Sequence, residues 1–93
     1  MSMTLADLAR VGNSNLNLPQ ATLARMAKLE ITLNDERASA RVFVFVQEGE
    51  HRRRLYDAEI KQVDLLRVAK QVAQRHKVPR ANVMLLGGAD AAE

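Results

Sequence analysis

Residues 42 to 46 read Val-Phe-Val-Phe-Val, a run of β-branched and aromatic side chains that fits a pleated strand better than any helix. Within the longer stretch 38–47, Val42, Val44 and Val46 share one face and Phe43 and Phe45 the other. Both faces are apolar, so this strand must sit inside a sheet and be covered on both sides. The rest of the chain has to supply the neighbours and the covers.

Two neighbours are readable. Leu29, Ile31 and Leu33 alternate with Glu30, Thr32 and Asn34, which predicts a half-buried strand before the turn at 34–37. After Glu48, Gly49 and Glu50, residues 51–60 read as a third strand. From there the period lengthens. Leu65, Val68, Ala69, Val72 and Ala73 form a helical stripe, with Asp64 as the expected N-cap and Val63 and Val68 as a hydrophobic staple. Arg75, His76 and Lys77 complement the negative end of that helix, and Pro79 ends it.

Upstream, Thr4 is placed to cap a short helix that buries Leu5, Leu8, Ala9 and Val11 and stops at Gly12. Pro19 suits the first position of a second helix over about 19–28, burying Leu23, Met26 and Ala27. Residues 82–86 either add a short fourth strand or pack as an arm, and 89–93 form a mobile tail. The expected fold is α+β, in the order α-α-β-β-β-α, with a small antiparallel three-stranded sheet in a single domain over 1–88. The last helix covers the valine face. Phe43 and Phe45 are left for the N-terminal helices or for a second copy of the chain, which makes them the candidate protein interface.

Composition narrows the function classes. The 93 residues include no cysteine, which removes thiolate chemistry and disulfides and suits the cytoplasm. The opening MSMTLADLAR lacks the pattern of a signal peptide and no long apolar run is present, so no membrane role is expected. His51 and His76 are the two histidines; no metal spacing, nucleophile elbow or glycine-rich phosphate loop is found. An enzyme is not expected, nor is a cofactor.

The charge is local. Residues 1–50 carry five Lys/Arg and six Asp/Glu, whereas 51–80 carry nine against three, a balance of +6. In a regular third strand Arg52 and Arg54 share the face of Tyr56, Ala58 and Ile60, and Arg53 points away with Leu55, Asp57 and Glu59. Arg52 and Arg54 can then join Arg75, Lys77 and Arg80 at the helix end as an anion or nucleic-acid site. The competing readings are local pairing with nearby acids and an acidic protein partner. The segment TLADLARVGNSNLNLPQATLARMAK holds two short helices, but its connection is longer than a helix-turn-helix uses.

In layout, residues 41–88, with a hairpin, a helix and then KVPRANVMLLGG, look like the ββαβ half of a ubiquitin-type β-grasp. The hairpin VFVQEGEHRRRLY and the helix VDLLRVAKQVA also resemble those of small head-tail joining proteins of tailed phages. No residue role is carried over from either. The sequence reading is a non-enzymatic protein interaction module, with a homodimer through Phe43 and Phe45 as one form it can take, and with nucleic-acid binding as the alternative function.

Overall fold

The computed structural model describes residues 5–13 and 18–87. Its elements are α1 (Leu5–Ala9), α2 (Gln20–Arg25), β1 (Lys28–Asn34), β2 (Ser39–Glu48), β3 (His51–Lys61), α3 (Gln62–Arg75), a 3-10 turn (Arg80–Asn82) and β4 (Val83–Gly87). The fold is α+β in the expected order, with residues 83–87 forming a fourth strand. Thr4, residues 14–17 of the first connection and the tail 89–93 lie outside the described residues.

The sheet runs β3-β2-β1-β4. β1 and β3 flank β2 antiparallel, and β4 pairs parallel with β1, from Leu29 opposite Val83 to Leu33 opposite Gly87. β2 is therefore an inner strand, as its doubly apolar sequence requires. Because β1 lies between β2 and β4, residues 41–88 do not close into a ββαβ unit by themselves.

One face of the sheet carries the core. Leu29, Ile31, Ala40, Val42 and Val44 are fully buried against Leu65, Ala69, Val72 and Ala73 of α3, joined by Leu8 and Val11 from the α1 segment and by Val78. α3 follows β3 directly and lies back across β2 and β3. α1 packs beside it, against α3 and β4. The first helix thus thickens the cover on the valine face rather than forming a recognition motif with α2, which lies instead against β2.

Backbone contacts clamp α1 in place. The Asn13 N–H donates to Val78 O at 2.8 Å, and the Arg80 N–H donates to Asn13 O at 2.8 Å. Gly12 is the contact point, since a Cβ there would sit 2.8 Å from both Arg80 Cα and Pro79 C. The residue does more than stop a helix. Two residues beyond Arg80, next to the start of β1, buried Asn82 donates through Nδ2 to Leu23 O at 2.8 Å and to Ala27 O at 3.1 Å, fixing α2 to the start of β4.

Three helix-end expectations are corrected. Pro19 is the N-cap of α2, not its first helical residue. α3 begins at Gln62 with Lys61 as its cap, so Asp64 lies inside the first turn. The start is set by tertiary bonds: Gln62 N–H donates to Ala38 O at 2.9 Å, and its side-chain amide donates to Asn34 O, Asp35 Oδ1 and Ser39 O. Val63 consequently points into solvent, 88% exposed, and forms no staple. At the other end Lys77 takes a left-handed φ of 55°, while Val78 N–H donates to Ala73 O and Lys77 N–H to Gln74 O. That pair of bonds is a Schellman motif with lysine where glycine is usual.

Candidate protein interaction surface

The opposite face of the sheet is built by the alternate residues of each strand, and one irregularity decides which arginines reach it. From Ser39 to Val44 the β2–β3 ladder is regular, ending with Val44 opposite Tyr56; the next pair is Phe45 opposite Arg54. Leu55 is the extra residue of a β-bulge. It turns with Tyr56 toward the core, where both pack. The side-chain alternation beyond it is therefore inverted.

This overturns the regular-strand expectation. Arg54 and Arg52 fall on the face of Phe45 and Gln47, opposite to Tyr56, Ala58 and Ile60, whereas Arg53, opposite Val46, lies on the helix side. Arg53 pairs there with Glu48, Nε to Oε2 at 2.8 Å.

On the open face each arginine finds an acid. Arg41 makes a two-pronged contact with Asp57, Nε to Oδ1 at 2.8 Å and a second guanidinium nitrogen to Oδ2 at 2.7 Å. Arg54 approaches the same carboxylate at 3.7 Å, and Arg52 reaches Glu30 at 3.5 Å. Glu59 accepts a hydrogen bond from the Ser39 hydroxyl at 2.7 Å. The hydrogen bonds from Arg41, reinforced by the charges of Arg41 and Arg54 and opposed by desolvation, hold the Asp57 carboxyl below the usual carboxylate range. The same bonds raise the guanidinium pKa of Arg41.

These arginines also cover the rings. Phe43 and Phe45 stack at 5.1 Å between centroids. Arg41 lies 4.9 Å above Phe43 and Arg52 lies 4.5 Å above Phe45, both within cation–π range. Phe45 is only 1% exposed and Phe43 is half-buried. Phe45 thus finds its cover within its own chain and does not require a second copy. Beside this pair, Thr32, Asn34, Arg41, Asp57 and Glu59 line a shallow depression of about 360 Å³.

The other predicted basic residues lie elsewhere. Arg75 ends α3 and Lys77 follows it, in the helix layer, and Arg80 donates through Nε to Gly12 O at 3.2 Å. Arg52 and Arg54 are on the far side of the sheet from them, so the five do not line one groove. His51 is exposed at the start of β3 and His76 caps α3. Among the described residues no three His, Cys, Asp or Glu side chains gather as a metal site would require, and no helix is long and apolar enough to cross a membrane.

Arg41 and Glu30 are the residues that the sequence reading missed, while Asp57 is one of the nearby acids it offered to the arginines. Arg41 and Phe43 alternate on one strand face, and that spacing was a usable signal; the partnership with Asp57 needed the register. Comparison with known proteins gives no match to a family model, a curated protein or a solved structure.

Proposed function

We propose that this chain is a non-catalytic protein interaction module that offers the open sheet face around Phe43 to a protein partner. One observation carries the reading: Arg41, Arg52 and Arg54 are each paired with an acid, and two of them already occupy the ring faces of Phe43 and Phe45. A nucleic-acid face needs cations free to replace phosphate counterions and ring faces free to stack on bases. A surface of arginines and aromatics with both signs of charge matches the composition of protein contact sites instead. The cysteine-free sequence suits the cytoplasm as its compartment.

The second reading, nucleic-acid binding through Arg52, Arg54, Arg75, Lys77 and Arg80, draws on the +6 balance of residues 51–80. The division of those residues between two sides of the sheet weighs against it. Site-specific photo-cross-linking in cells separates the two. A benzophenone side chain in place of Phe43 should capture protein, and the same group in place of exposed Gln71 on α3 should not. Capture of nucleic acid from position 43, or of protein from position 71 alone, would overturn the proposal.

A further inference from the structure

The two edges of the sheet are treated differently by the sequence. β3 is long, but Arg52, Arg53 and Arg54 line its first half, the Leu55 bulge breaks its regularity and Lys61 ends it. Charges and bulges of this kind keep an edge from pairing with another strand. β4 carries neither charge nor bulge, although α1 lies against it. It reads Val-Met-Leu-Leu-Gly, without a charge, and Leu86 is 44% exposed. Among the described residues no strand pairs with its outer side. The backbone groups it does not direct to β1 point away from the sheet, where an unpaired ladder invites another strand.

We infer that β4 pairs antiparallel with β4 of a second copy, across a two-fold axis, joining the two sheets into one of eight strands. The inference concerns the edge and stands apart from the reading of the open face. Three features select a second copy. A charge-free strand opposes no like charges when it meets itself, whereas self-pairing along the first half of β3 would bring arginines together. A two-fold contact needs only one surface, the same on both chains. Centring the pair on Leu85 sets Met84 of each copy opposite Leu86 of the other on the open-face side, so the exposed leucine is covered. The interaction faces of the two chains then lie side by side on one continuous sheet.

Sedimentation equilibrium tests the arrangement with two charge variants at the exposed position, Leu86→Lys and Leu86→Glu. The wild-type chain should approach twice its 10.4 kDa mass as concentration rises. Each variant alone should remain at 10.4 kDa with an unchanged circular dichroism spectrum, because the two copies of residue 86 lie diagonally across the pair, about 7–8 Å apart. An equimolar mixture of the two should regain the dimer. A wild-type monomer at every concentration shows that the edge is closed by the chain itself and overturns the inference. So does either variant dimerising as well as wild type, or a mixture that stays monomeric. None of these results bears on the Phe43 surface.

Discussion

Replacing Gly12 with alanine should destabilise the fold through a contact that local sequence does not reveal. The added Cβ would lie 2.8 Å from three backbone atoms, Arg80 Cα, Arg80 N and Pro79 C, and none of them can swing aside as a flexible side chain would. Relief requires segments 12–13 and 78–80 to part. That lengthens two backbone hydrogen bonds of 2.8 Å, Asn13 to Val78 and Arg80 to Asn13, and the 3.2 Å bond from Arg80 Nε to Gly12 O. At about 1 kcal/mol net for each backbone bond, with extra loss as Leu8 and Val11 shift from the core, the cost is about 3 kcal/mol. Alanine returns up to about 1 kcal/mol by restricting the unfolded chain, leaving a net loss of about 2 kcal/mol. A domain of this size has about 5–14 kcal/mol in total. Urea denaturation should show a lower midpoint at unchanged slope, and the melting temperature should fall by roughly 8–16 °C. A change within about 0.5 kcal/mol, the range of an ordinary surface substitution, would show that the clamp does not form in solution.

Deleting Leu55 joins Tyr56 directly to Arg54, which makes the ladder regular and keeps Arg52 and Arg54 on the open face; the loss is the packing of the Leu55 side chain on the core, about 1–3 kcal/mol in chemical denaturation, and an unchanged midpoint would mean that Leu55 does not pack there. Lys77→Gly should stabilise by about 0.5–1 kcal/mol, because glycine takes the left-handed cap without the Cβ strain; destabilisation would argue against that conformation. Asp57, with its pKa lowered on folding, contributes stability that is present above the ordinary carboxylate value and lost as pH falls through the lowered one. Arg41→Ala should move its carbon-13 NMR titration upward, and a curve identical to wild type would contradict the pairing.

These predictions mark what the sequence could and could not disclose. Period alone located β1, β2, β3 and the stripe of α3, because side-chain alternation and helical spacing are local properties. The β2 run also carried its own topology, since a strand apolar on both faces has to be interior. The bulge was different. Which residue of β3 loses its partner depends on how two strands meet, and nothing in HRRRLYDAEI distinguishes Leu55 from its neighbours; that one residue moved Arg52 and Arg54 to the other face. The start of α3 escaped for a similar reason, because Gln62 is fixed by bonds to residues 34–39 and not by a local cap. Phe43 and Phe45 were found as a pair, but their cover by Arg41 and Arg52 depends on strand neighbours and side-chain reach.

The central claim, that the arginine and phenylalanine face serves protein and not nucleic acid, is tested most directly by fluorescence anisotropy. Labelled single-stranded and duplex DNA and RNA are titrated with the chain across a salt series. With Arg41, Arg52 and Arg54 already paired to acids, no micromolar binding is expected even at low salt. Micromolar or tighter binding that falls steeply with salt, and is lost when Arg52 and Arg54 are both replaced by alanine, would contradict the account.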